Sequence, residues 1–303
     1  MIQLDGLTKA YGKKTAVQDI SATIQPGVVT GFLGPNGAGK STTMRMIMGL
    51  DQPTRGTATV NGKQYKDLRA PLREIGALLD AKAIHTGRTA YNHLLAMAAT
   101  HGISKRRVGD VIALTGLEPV AHKRVGGFSL GMGQRLGIAA ALLGDPHIVV
   151  FDEPVNGLDP EGVQWVRLLA RQFAGEGRTV FLSSHLMSEM AQTADHIIIL
   201  GRGRIIADAP VAEILNRAAR TMVRVRTPQT GQLMRLLVGE HITITAVSHD
   251  VLEVTGLSSE QVATLAARSA IPIYELTPVN ASLEEAYLSL TQDEVEYRTE
   301  HTA

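Results

Sequence analysis

The chain has 303 residues, 44% apolar, 19% charged and 4% aromatic, with a net charge of +1 and no cysteine. That is globular composition on a length that suits one large domain or two moderate ones, so a disordered chain is excluded. The missing thiols exclude disulfides and thiolate metal sites and fit a reducing compartment.

The near-neutral total hides a division. Up to Arg220, 25 Lys and Arg face 18 Asp and Glu, whereas from Thr221 onward 5 Arg face 11 acidic residues. Such a break predicts two domains of different surface character, here 1–218 and 219–303. No dense basic stripe accompanies the few aromatics, so nucleic acid is not an expected partner. The start, MIQLDGLTKAYG, lacks the charged-then-apolar order of a secretory signal. The longest apolar runs, HIIIL and LGIAAALLG, fall far short of the roughly 20 residues of a membrane helix. Any membrane association is therefore expected to come through a partner.

In chain order, IQLDGLTKAY, AVQDISATIQ and VVTGFLG predict strands separated by turn signals at Gly12 and Pro26-Gly27. A helix is expected over TTMRMIMGL, stopped near Gly49, with Met44, Met46 and Met48 as packing residues. GTATVNGK reads as a hairpin turning at Asn61-Gly62. From about 85 to 145 the pattern is helical, in AYNHLLAMAATHG, KRRVGDVIALTGL and QRLGIAAALL, which predicts a helical subdomain hung on an α/β core. Apolar strands HIVVF, TVFLSSH and HIIIL then alternate with helical segments, the mark of a parallel sheet covered on both faces. GRGRIIADA reads as a last hairpin and VAEILNRA as a closing helix. The remainder changes rhythm. TMVRVRT, QTGQLMRLLV, ITITAVS, VLEVTG, SSEQVATLAARS and IPIYEL give the order βαββαβ, which predicts a small ferredoxin-like α+β domain. A last helix, SLEEAYLSLT, opens on a capping box between Ser282 and Glu285. No catalytic motif occurs in this part, so a regulatory or assembly role is expected for it.

Chemistry concentrates earlier. Gly34, Pro35, Asn36, Gly37, Ala38, Gly39, Lys40 and Ser41 fit G-x-x-x-x-G-K-[ST] between an apolar strand and a helix, the setting of a phosphate loop. Its glycines let successive N–H groups point at phosphate oxygens, Lys40 reaches the β- and γ-phosphates, and Ser41 coordinates Mg²⁺. No Asn-Lys-x-Asp guanine-reading motif follows, so ATP is the expected nucleotide. HIVVFDEP delivers Asp152 to the magnesium shell at a strand's carboxyl end, and Glu153 is placed to take a proton from an attacking water. His185, in SSHL, follows the next predicted strand and is expected to hold that water, Glu153 and the γ-phosphate in line. No zinc-spaced ligand cluster is present. FSLGMGQRLG, Phe128 to Gly137, is a second anion-binding helix start.

Together these motifs, in this order, resemble the ATP-binding cassette (ABC) ATPases over about residues 2–217, and most closely their bacterial antibiotic- and drug-export subgroup. The resemblance implies an α/β P-loop NTPase with a RecA-like core, an antiparallel β subdomain and a helical subdomain. It extends the nucleotide contacts to Thr42 and implies that Tyr11 stacks on adenine. It also explains the second anion site: in a head-to-tail homodimer, Ser129 and Gly131 of one subunit face the γ-phosphate held by the other, and Asp159, in NGLDP, couples the two sites. A separate transmembrane permease is implied as partner, contacted through about 81–92, with the ATPase peripheral on the cytoplasmic face of the membrane. Non-transport relatives, acting on ribosomes or DNA or passing force to a membrane partner, are the alternative class. Two positions depart from the family pattern. Leu130 stands where the signature has Gly, and Asp80 stands where a Gln that touches Mg²⁺ is usual.

Overall fold

The computed structural model describes residues 1–81, 83–218, 222–279 and 282–291. Lys82 of the expected permease-contacting segment, Thr221 of the expected strand TMVRVRT and the end of the C-terminal domain, 292–303, lie outside these. The described chain forms two units, Ala212–Ser289 and the remainder, Met1–Val211 with Leu290 and Thr291.

The first unit opens with β1 (Ile2–Tyr11) and β2 (Lys14–Ile24), an antiparallel pair, followed by β3 (Val29–Leu33), α1 (Lys40–Ile47) and β4 (Arg55–Val60). Asn61 and Gly62 do turn the chain, both with positive φ. The expected hairpin is nevertheless reduced to one isolated bridge between Val60 and Lys63. β4 instead pairs antiparallel with β1, giving the three-stranded order β2-β1-β4. The reason is burial: Ala58 and Val60 join Ile2, Leu4 and Leu7 in one cluster with Met44, Met46 and Met48 of the α1 segment. The methionines are packing residues, as expected.

Next come α2 (Pro71–Glu74), β5 (Ile75–Leu78) and the three helices α3 (Ala90–Thr100), α4 (Lys105–Leu114) and α5 (Leu130–Ala141). Each of these three starts on a side-chain cap: Thr89, Ser104 and Ser129 accept from the backbone N–H three residues on. For α5 this cap matters, because it starts the helix at Leu130, four residues before the expected QRLGIAAALL. The Gly-rich stretch itself forms the first turn, with Ser129 satisfying the Met132 amide at 3.2 Å, so the expected helix start lies at Ser129.

The unit closes with β6 (Ile148–Phe151), α6 (Pro160–Gly175), β7 (Thr179–Ser184), α7 (Met187–Thr193), β8 (His196–Gly201) and β9 (Arg204–Pro210). These strands form a six-stranded sheet ordered β5-β6-β7-β3-β8-β9, parallel except for the β8–β9 hairpin. Every residue of β3, β6 and β7 is buried, as strands covered on both faces require. The helical subdomain, the RecA-like sheet and the antiparallel β layer together are the P-loop NTPase architecture expected from the resemblance.

The second unit begins within α8 (Val211–Ala218), continues through β10 (Met222–Arg226), α9 (Thr230–Leu237), β11 (Thr243–Ala246), β12 (Val251–Thr255), α10 (Ser259–Arg268) and β13 (Glu275–Val279), and ends within α11 (Leu283–Thr291). Its antiparallel sheet runs β11-β12-β10-β13, the ferredoxin-like order, over a core of Val223, Val225, Leu233, Leu252, Val254 and Val262. The expected strand IPIYEL is displaced: Ile271 seals the core, and the ladder opposite β10 begins only at Glu275. Pro278 is tolerated there because β13 is an edge strand. The capping box at α11 is present, with Ser282 N donating to Glu285 Oε2 at 2.9 Å and Glu285 N to Ser282 Oγ at 3.1 Å.

Candidate active site

Sheet order assembles the site. β6, β7 and β3 are parallel neighbours, so their carboxyl ends open on one edge, where open α/β sheets place ligands. The loop after β3 is 34–39, Asp152 and Glu153 follow β6, and His185 follows β7. Residues distant in sequence meet because three buried apolar strands set them side by side.

The loop is shaped by glycine. Gly39 has φ +107, and a Cβ there would lie 2.6 Å from the Ala16 carbonyl oxygen, so no other residue fits. Its carbonyl accepts from Thr43 N and Thr43 Oγ1, both at 2.9 Å, locking the loop onto α1. A cleft of about 190 Å³ lies here, lined by Ala16, Pro35, Asn36, Gly37, Gly39, Lys40, Ser41 and Thr42, with Glu153 as its acidic wall. Lys40 is only 6% exposed; its Nζ donates to Gly34 O at 2.6 Å and lies 4.0 Å from Glu153 Oε1. Burial holds the ammonium below the usual lysine range, while the charges of Glu153 and Asp152 partly counter it.

Two residues not singled out from the sequence hold the acids. Ser183 Oγ donates to Asp152 Oδ1 and accepts from Glu153 N at 2.9 Å. Gln134 Nε2, from α5, donates to Glu153 O at 2.9 Å. These bonds grip a backbone that needs gripping, since Glu153 has φ +50, a left-handed conformation that costs a non-glycine residue roughly 1–3 kcal/mol. Its carboxylate is thereby fixed, with His185 Nδ1 2.7 Å from Oε2. Ser183 was visible in the motif SSH, but only the parallel β6–β7 register shows what it holds.

Ser41, at the start of α1, and Asp152 offer oxygen atoms on this edge; Asp80 lies exposed two residues beyond β5, the strand beside β6. Among the described residues no cluster of three His, Cys, Asp or Glu forms a metal site. A hydroxyl and one or two carboxylates instead match an ion that takes its other ligands from phosphate and water.

Other expected residues lie elsewhere. Tyr11 ends β1 half exposed, its hydroxyl donating to Asp51 Oδ2 at 3.0 Å, and Arg45 Nε holds the same carboxylate at 2.8 Å. Ser129, Gly131 and Asp159 are not in the cleft lining. Ser129 caps α5, and Asp159 caps α6 through Gly162 N at 3.0 Å.

The ABC transporter family model matches residues 17–156, an overlapping AAA-domain model (putative AbiEii toxin) matches 123–191, and a model for a domain of unknown function matches 221–284. The bacitracin transport ATP-binding protein BcrA of Bacillus licheniformis is 40% identical over 220 residues, 72% of each chain. The Nod factor export ATP-binding protein I of Rhizobium leguminosarum is 35% identical over 97% of this chain and 96% of its own. Among solved structures, the dimeric bacterial ABC transporter cassette MJ0796 superposes with a TM-score of 0.64 at 26% identity, covering 70% of this chain and 99% of that one. Likeness at these identities, in one case across nearly the whole length, places the chain in the ABC transporter family as an ATP-binding subunit that hydrolyses ATP.

Proposed function

We propose that this ATPase powers a bacterial exporter, working as a head-to-tail homodimer against a separate transmembrane permease, with drugs or antibiotics as the exported class. The observation that carries the reading is the full-length likeness to a protein named for export, reinforced by the bacitracin transport relative. Among the described residues no helix is long and apolar enough to cross a membrane. In this reading the permease is a second chain, and the ATPase sits peripherally on the cytoplasmic face of the membrane. The segment 81–92, which follows the Asp80 loop, is its contact. The domain from 219 onward, which follows the nucleotide-binding domain 1–218 in the chain, stabilises or regulates the dimer.

In this reading the phosphate loop, from Gly34 to Thr42, holds the triphosphate, Tyr11 stacks on adenine, and Ser41, Asp152 and Asp80 hold Mg²⁺. Bound there, the ion neutralises charge on the β- and γ-phosphates. Glu153 accepts the proton of the attacking water, and His185 fixes its carboxylate. Ser129 and Gly131 close over the γ-phosphate of the partner subunit, which suits a capped helix start outside the subunit's own cleft. Asp159 links the two sites.

Ser129→Arg tests the dimer. The bulky cation is expected to abolish ATP-dependent dimerisation, read by light scattering, while the monomer's ATP affinity stays within about twofold, because Ser129 does not line its own cleft. Dimerisation of that variant would reject the cross-subunit role. The permease half predicts recovery of a multi-span membrane protein with the tagged ATPase from detergent-solubilised membranes; recovery with ribosomes or DNA instead would overturn it.

A further inference from the structure

Leu130 is a large apolar side chain, 50% exposed, at the first position of α5. It covers bare backbone. Gly157 has φ +75, and a Cβ built on it would lie 2.5 Å from Leu130 Cγ and 3.0 Å from Leu130 Cβ. The fit is two-sided, since a Cβ on Gly131 would lie 2.9 Å from Gly157 O and 3.4 Å from Leu158 Cδ2. Gly157 sits inside a tight turn after Glu153, in which Asn156 N donates to Glu153 O at 3.2 Å and Leu158 N to Val155 O at 3.1 Å. One turn further along α5, Gln134 grips the same Glu153 carbonyl. The start of α5 and the 153–158 turn are therefore joined at two points, one polar and one steric, and the steric one leaves no room for a side chain at 157 beneath Leu130.

We infer that Leu130 is a positioning residue: its seat on Gly157 fastens the Ser129 helix start to the turn that carries Asp159, so that both segments meet a partner subunit as one rigid surface. The consequence for dimerisation rests on the homodimer reading above; the seat itself is a property of the single chain. A glycine at 130 leaves the turn uncovered, and a methyl group at 157 pushes the helix start away.

The test is a cycle of four proteins: wild type, Leu130→Gly, Gly157→Ala and the double variant. In the nucleotide-free monomer, Leu130→Gly is expected to speed amide exchange at Asn156 and Leu158 by about tenfold, because local opening loses its cover. ATP turnover should fall by about tenfold while ATP affinity stays within about twofold, a change in kcat and not KM that general loss of structure would not give. Gly157→Ala is strained at its positive φ whatever lies above it, so the informative comparison is within that background. There, Leu130→Gly is expected to raise turnover by about tenfold, reversing its sign in the wild type. Effects that merely multiply, or unchanged exchange at Asn156 and Leu158 in Leu130→Gly, overturn the inference; the exchange arm decides it even if alanine at 157 prevents folding. If wild type does not dimerise with ATP but the cycle couples, the dimer reading fails and the seat stands. If wild type dimerises and the cycle is additive, the seat fails alone.

Discussion

Glu153→Gln is expected to lower ATP turnover by about 10²–10⁴-fold, the range for losing a general base, while ATP still binds. The substitution is nearly isosteric, and the bonds that set this residue in place reach its backbone. Ser183 accepts from its N–H and Gln134 donates to its carbonyl, so the left-handed conformation survives. What changes is the carboxylate. Glutamine cannot accept a proton from water, and the charge beside Lys40 Nζ, 4.0 Å away, disappears. Losing an anion from the wall of a cleft that must take a triphosphate does not weaken binding on electrostatic grounds, so the defect belongs to the chemical step. Phosphate release measured against nucleotide affinity separates the two, and near-normal release would reject the assignment. His185 supplies an internal check. With Glu153 ionised, the proton in the 2.7 Å contact sits on Nδ1, so the imidazole donates and acts through the carboxylate it holds. Adding His185→Ala to Glu153→Gln should then cost little more, as residues acting as a unit do. Multiplying losses would give His185 a role of its own.

The parts of this site that were legible in the sequence are those where backbone geometry or burial leaves a residue little choice. Gly39 must be glycine because its φ is positive and Ala16 is in contact, so the phosphate loop is written in its letters. β3, β6 and β7 are buried on both faces and read as unbroken apolar runs, which is enough to expect a parallel sheet and to bring Lys40, Asp152, Glu153 and His185 to one edge. Contacts between segments left no such mark. Nothing local says that Ser183 bonds both acids, since that follows from the β6–β7 register, nor that Gln134 reaches Glu153 across from another helix. The positive φ of Glu153 is equally silent, because glutamate is not a residue that advertises it. The turn at Asn61-Gly62 was readable, but the partner of β4 was not, because the choice of β1 is made by the shared core. Leu130 stood out only as a departure; Gly157, 27 residues on, is what accommodates it.

Lys40→Met is expected to weaken ATP binding by about 10²-fold or more, with ADP affected less and adenosine hardly at all. Methionine keeps an unbranched apolar stem in the buried space and removes the one group that carries charge. Lys40 Nζ is held by the loop's own carbonyls, at 2.6 Å from Gly34 O and 3.4 Å from Pro35 O, so its position owes little to the acids. Its charge, however, faces both Glu153 and Asp152, which act on it from across the cleft. Removing the cation leaves two carboxylates facing the incoming phosphates with less positive charge between them. Truncating one member of a buried charged pair costs about 2–5 kcal/mol, and about 1.4 kcal/mol corresponds to each tenfold in affinity. Arginine is no substitute, since a planar fork needs more room than the ammonium occupies against Gly34 O. The same geometry sets the sign of a pH effect. Burial lowers the Lys40 pKa, so the cation is lost at a lower pH than in an ordinary lysine, and ATP affinity should fall as pH rises through that point. The methionine variant, having no proton to lose there, should bind weakly and without that alkaline decline. Calorimetric titration of ATP, ADP and adenosine across the alkaline range measures all of this. A loss shared equally by adenosine would show a collapsed loop, and an alkaline fall retained in the variant would move the titrating group elsewhere.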